Sequence, residues 1–263
     1  MGGRCQNDIN RASFFNDLSF RSAMSFYITL ISDSSTSFFP HNKISQFTTQ
    51  LPNPINLNGE WEMALVDFIY PHTWYNVRPD NNLFGFDLGD GKMQGRRVPP
   101  GYYETVPDLI KSMTLASHKD KIAFNFHPIT KRVKITTDEK SKVHLYDGLA
   151  ELLGFDPGEY TGIHQSPFVA DPKVTFPVMY VYCDLVEPQI VGDLQAPLLK
   201  IVTVEGNDGE IKNIHYPRPF YLPVIRQHFQ TVQIEIRLHS GNLVPFERGK
   251  VFVTLHFRLR QIL

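Results

Sequence analysis

Val232-Gln-Ile-Glu-Ile-Arg-Leu238 decides the fold. Val232, Ile234, Ile236 and Leu238 alternate with Gln233, Glu235 and Arg237, and a period of two with β-branched residues makes a strand with one dry and one wet face. The same texture recurs on either side. Tyr180–Val186, Leu198–Val204 and Val251–Phe257 are further β-rich runs, and alternate residues of the last should point inward with Val232 and its partners. Gly206-Asn-Asp-Gly209 and Ser240-Gly-Asn242 supply the positive φ angles that tight hairpins require.

Toward the N-terminus, Ser25–Ile31 and Ile44–Leu51 read as strands, the second bounded by Pro52-Asn-Pro54. A longer strand, Glu60–Tyr70, places Trp61, Met63, Leu65 and Asp67 on one face. The middle of the chain changes style. Leu83–Leu88 is a strand closed by the turn Gly89-Asp-Gly91. Thr105 is a candidate N-cap, Pro107 fits a first turn, and Leu109, Ile110 and Met113 recur at helical spacing, so a helix is expected over roughly 105–117. A hairpin pairs Lys121–His127 with Arg132–Thr137, and a second helix over 145–153 ends at Gly154.

Nine or ten strands, two short helices and no βαβ rhythm make the chain all-β. The expected fold is a single jelly-roll β-sandwich of two antiparallel sheets, with a mid-chain insertion at roughly 83–160 that carries both helices. An immunoglobulin-like sandwich and a small barrel compete with it, but the Cys…Trp…Cys signature of the former is missing. Residues 1–24 are polar and aperiodic and read as a flexible N-terminal arm or leader. Residues 25–263 read as one domain.

Composition narrows the function classes. Twenty Phe and 11 Tyr in 263 residues suit the space between two sheets. A net charge of −1 gives no signature of a nucleic-acid binder, and no direct sequence-specific nucleic-acid binding is expected. Charge is unevenly spread: residues 151–211 hold ten acidic and two basic residues, and residues 212–263 hold eight basic and two acidic. These segments are either solvated faces or the two unlike flanks of a heterologous contact between copies. Cys5 and Cys183 form no Cys-x-x-Cys pair, which points to a reducing compartment. No apolar run approaches the roughly 18 residues of a membrane span. Met1-Gly-Gly-Arg-Cys-Gln6 lacks the Ser or Thr of a myristoylation site.

A search for chemistry finds none. Ten histidines include no His-Glu-x-x-His and no His-x-His, and His215, His228, His239 and His256 are scattered. There is no nucleophile elbow and no phosphate-cradling loop. Asp87-Leu-Gly-Asp-Gly91 has the wrong spacing for a calcium loop and reads as a hairpin turn. The expectation is a non-enzyme with no catalytic residue, no cofactor and no metal. Two aromatic segments remain. Tyr70-Pro-His-Thr-Trp-Tyr75 is either a packed corner closing one end of the sandwich or a contact surface centred on Trp74 and Tyr75. Arg218-Pro-Phe-Tyr221, flanked by Pro217 and Pro223, is an edge or a connection. It adds Arg218, Phe220 and Tyr221 as candidate interface residues.

Several segments together carry a resemblance. They are Phe26-Tyr-Ile-Thr-Leu30, Gly59-Glu-Trp-Glu-Met63, Tyr70-Pro-His-Thr-Trp-Tyr-Asn76, Gly101-Tyr-Tyr103, Leu152-Leu-Gly-Phe155, Tyr180-Val-Tyr-Cys-Asp-Leu-Val-Glu-Pro188, Ile190-Val-Gly-Asp193 and Pro245-Phe-Glu-Arg-Gly-Lys-Val251. Spread between Met24 and Arg260, this combination resembles the penton, or minor capsid, proteins of Polinton (Maverick) elements and adintoviruses. The resemblance implies a single jelly-roll protein that forms homopentameric vertices of an icosahedral capsid, beside the major capsid protein of the same element. It implies a virion location after synthesis in the host cytoplasm, with the nucleus as a candidate place of assembly. It brings no catalytic motif. The alternative from another class is a jelly-roll binding module, a lectin-like or tumour-necrosis-factor-like oligomer.

Overall fold

The computed structural model describes residues 25–174 and 177–260. The chain opens with β1 (Ser25–Ile31), β2 (Gln46–Asn56) and β3 (Trp61–Pro71). A middle section follows: β4 (Leu83–Asp87), β5 (Gln94–Arg97), α1 (Val106–Met113), β6 (Ile122–His127), β7 (Arg132–Thr137), β8 (Lys142–Leu145), α2 (Asp147–Leu153), β9 (Gly158–Tyr160) and β10 (Ile163–Gln165). The last section holds β11 (Val178–Cys183), β12 (Gln189–Val191), β13 (Leu194–Ala196), β14 (Leu198–Thr203), β15 (Ile211–His215), β16 (Leu222–Pro223), β17 (His228–Arg237) and β18 (Phe252–Leu259).

Two antiparallel sheets carry the architecture. The first has the order β1-β18-β3-β15, with β16 adding to the start of β3, and the second has the order β14-β11-β17-β2. The chain crosses between them repeatedly, which is the winding of a jelly roll. One apolar cluster fills the space between. Val232, Ile234 and Ile236 are fully buried and Leu238 nearly so, and Val251, Val253, Leu255 and Phe257 face them across the core. Phe257 is stacked at 4.9 Å on Phe26 of β1.

Two strands depart from their expected reading. In β3 the inward face does not run Trp61, Met63, Leu65, Asp67. The register against β18 shifts between Thr254 and Leu255, so Val66 is an extra residue, a β-bulge. Beyond it the inward positions become Phe68 and Tyr70, both fully buried, while Asp67 turns outward to His215. In β2, Pro52 and Pro54 lie within the strand instead of ending it. They are tolerated because β2 is an edge and its register against β17 skips between Phe229 and Thr231.

The chain leaves the sandwich after Pro71 and returns at Val178, and the residues between build a second apolar cluster drawing on Val77 through Ala170. Thr105 caps α1 by accepting from the Asp108 amide at 3.3 Å, and Val106, Leu109, Ile110 and Met113 are its buried face. Gly154 closes α2 in the left-handed conformation at φ 74°. Asp87 is a turn residue: its Oδ1 accepts the amides of Gly89, Asp90 and Gly91. No helix among the described residues is long and apolar enough to cross a membrane. The arm expected over residues 1–24 lies outside the described residues.

The acidic and basic segments of the chain meet within the fold. Acidic-segment strand β11 hydrogen-bonds directly to basic-segment strand β17. Asp184 pairs with Arg226 at 2.9 Å, and Glu210 pairs with Lys212 at 2.6 Å. At these places the two segments interleave and neutralise each other.

Candidate assembly surface

The corner after β3 is built from rings. Tyr70 is buried and its hydroxyl donates to the Glu205 carbonyl at 3.1 Å, tying the end of β3 to the loop before β15. Burial pushes this phenol above its ordinary pKa. His72 stacks on Trp74 at 3.9 Å and meets Tyr102 of the middle section edge-on at 5.7 Å, and Phe246 closes on Trp74 from the other side. Trp74 is therefore 4% exposed, an internal ring of the corner, whereas Tyr75 beside it is 41% exposed. A cavity of about 230 Å³ opens here between His72, Trp74, Asn76, Tyr102, Lys173 and Gly206. His72 Nδ1 is buried there and meets no hydrogen-bond partner among the described residues.

The second aromatic segment sits at the far end of the same strand. Leu222 pairs with Met63, so the 218–221 loop lies by the start of β3 and the Trp74 corner by its end. At about 3.3 Å per residue, Met63 and Pro71 are ~26 Å apart. The structure does not bring the two groups of candidates together. Arg218 and Phe220 are exposed, Phe220 at 68%. Tyr221 is fixed: its hydroxyl lies 2.6 Å from His256 Nδ1, and the Arg258 guanidinium sits 3.5 Å over its ring.

Tyr221 thereby joins a row that sequence reading missed. On the outer face of the first sheet, Tyr27 stacks on His256 at 4.4 Å, and Arg258 reaches Glu62 at 2.6 Å. Burial lowers the His256 pKa, with Arg258 adding to the effect, which favours the neutral ring beside the cation. The signal was present in the alternation of β1 and β18, where Tyr27 and His256 occupy outward positions directly opposite each other. Register, which pairs the two strands, is what the sequence lacks. A further exposed feature is the isolated hairpin of β12 and β13, with Ile190 80% and Leu194 68% exposed.

Cys183 is buried in the core of the sandwich, and its thiol is pushed up to about 12, so no thiolate is at hand for chemistry. Among the described residues no three His, Cys, Asp or Glu side chains stand close enough to hold a metal ion. What the geometry offers is surface.

No protein-family model and no curated protein sequence matches the chain. Among solved structures, the crystal structure of the selenomethionine-labelled mavirus penton protein matches with a TM-score of 0.52 at 11% sequence identity. The match covers 89% of this chain and 99% of that one. The likeness is one of fold. It spans the sandwich and much of the middle section, since the two sheets alone leave out more than the unmatched tenth of the chain.

Proposed function

We propose that this chain is a penton-type minor capsid protein. Five copies close each vertex of an icosahedral capsid encoded by a Polinton or Maverick-type element, in contact with the major capsid protein of that element. The observation that carries the reading is the jelly-roll winding with a large section between β3 and β11, matched along nearly the whole length of a penton protein. On this reading residues 25–263 act as one capsid domain with an insertion, and the protein resides in the virion after synthesis in the host cytoplasm. It works by contact and needs neither catalysis nor a cofactor. Tyr75, Arg218, Phe220 and Tyr221 serve as contact residues, and Trp74 serves by holding the corner that presents Tyr75.

The test is the native mass of the purified protein over a wide concentration range. A species of five times the 30.2 kDa chain mass is expected. A stable dimer or trimer would instead favour a lectin-like or tumour-necrosis-factor-like module and count against the penton.

A further inference from the structure

The backbone edges of the two sheets are treated differently. In the second sheet, the β2 edge is closed. Its outward amides at Gln46, Thr48 and Gln50 are taken by the Lys43 carbonyl, Asn42 Oδ1 and Ser35 Oγ, and Asn42 Nδ2 returns a bond to the Thr48 carbonyl. Pro52 and Pro54 block the rest of that strand. In the first sheet, no described residue covers the β1 edge in this way. Ser32 donates to Val251 across β1 and β18, which fixes the even-numbered residues as the hydrogen-bonded pairs. The amides and carbonyls of Tyr27 and Thr29 therefore point away from β18, and no described residue bonds them. The strand Ser25-Phe-Tyr-Ile-Thr-Leu-Ile31 has no charge, proline or glycine to protect it.

The opposite edge of the same sheet is open as well. Tyr216 donates to Val66 and His72 to Glu210, so the odd-numbered residues of β15 point their backbone groups outward. Those of Asn213 and His215 likewise meet no partner among the described residues. The four strands β1, β18, β3 and β15 alternate in direction, so β15 of a neighbouring copy laid beside β1 by rotation about the strand direction is antiparallel to it. A ring requires two unlike, complementary patches on each subunit. Among the described residues the first sheet has two uncovered edges of matching polarity, whereas the second is closed at β2.

We propose that copies of this chain join head to tail through the first sheet, the open edge of β1 in one copy pairing with the open edge of β15 in the next. This rests on the penton reading and names the elements that would close its ring. It also accounts for the uncharged β1 edge: recognition runs through backbone hydrogen bonds, with Tyr27 and Ile211 exposed on the two strands to pack across the join.

The experiment introduces cysteines at facing edges. In a Cys5→Ser background, with Cys183 buried, Thr29→Cys is combined in turn with Ile211→Cys, Asn213→Cys and His215→Cys to cover the possible registers. Antiparallel neighbours lie within disulfide reach. Mild oxidation should yield a covalent ladder reaching five copies for at least one combination. Rings of five that form normally yet give no cross-link in any register would overturn the edge pairing and leave the penton reading standing. A chain that stays monomeric at every concentration would overturn both. If the cysteine variants fold poorly, amide exchange on the unaltered protein decides. The amides of Tyr27, Thr29, Asn213 and His215 should exchange at least tenfold more slowly in the ring than in dissociated subunits, and unchanged exchange would refute the pairing.

Discussion

Ile234 and Glu235 are adjacent in β17 and face opposite ways. Ile234 is fully buried, while Glu235 lies on the outer face and accepts from Gln46 and Gln233 and pairs with Arg237. Ile234→Ala should cost about 2–5 kcal/mol in denaturant titrations, from lost transfer energy plus a cavity. Glu235→Ala should cost about 1 kcal/mol, since a half-exposed charge network is screened. A larger loss for Glu235→Ala would place the strand one residue out of register. His72 makes the other residue-scale case. Burial lowers its pKa below the ordinary 6.5, against the weaker opposing pull of Asp208 and Glu210 and with Lys173 assisting. The unfolded chain binds the proton more readily, so this stabilisation is complete above about pH 6.5 and is lost as pH falls through the lower folded value. Urea midpoints should drop further between pH 7.5 and pH 5 in the parent than in His72→Phe, which keeps a ring on Trp74. Equal drops would mean that His72 takes up its proton as readily in the folded protein as in the unfolded chain.

Elements were legible where local chemistry is self-contained. Thr105 marked the start of α1 and Gly154 the end of α2, and the hairpin of β6 and β7 fell where its turn signals stood, whereas α1 stops at Met113 instead of near 117 and α2 starts at Asp147 instead of 145. What escaped was set by partners distant in sequence. The Val66 bulge exists only against β18, almost two hundred residues away, and it turned Asp67 out of the core. Pro52 and Pro54 read as a strand end because a single sequence does not tell an edge from a centre. The outer row of Tyr27, His256 and Tyr221 was invisible for the same reason, and the corner residues Trp74 and Tyr75 were found as a motif without their division into a buried and an exposed ring. Two glycines separate local from tertiary demands. Gly162 sits at φ 82° with open space around a would-be Cβ, so Gly162→Ala should cost about 1 kcal/mol of backbone strain. Gly154 combines φ 74° with a Cβ position only 2.5 Å from the Phe168 carbonyl oxygen, so Gly154→Ala should cost at least ~3 kcal/mol. Equal thermal shifts for the two would show that the α2 terminus is free to move away from Phe168.

At the scale of the molecule, two apolar clusters divide the work. The larger fixes the sandwich, and the second lets the section between β3 and β11 hold its own shape at one end of it. Charge, which looked from the sequence like a way to tell one flank from another, is offset locally where β11 and β17 lie side by side and Asp184 meets Arg226. Assembly should accordingly respond little to salt, because apolar burial and backbone pairing are screened far less than exposed charges. A fivefold ring that falls apart on raising salt from 0.1 M to 0.5 M would contradict that. The central claim, that this is a vertex protein, is tested most directly by imaging particles made when the chain is co-expressed with the major capsid protein of the same element. The account predicts icosahedral particles in which five copies of this jelly roll occupy each vertex, and vertices left empty when the chain is omitted. Complete particles that exclude the chain, or that carry it elsewhere than at the fivefold positions, would contradict it.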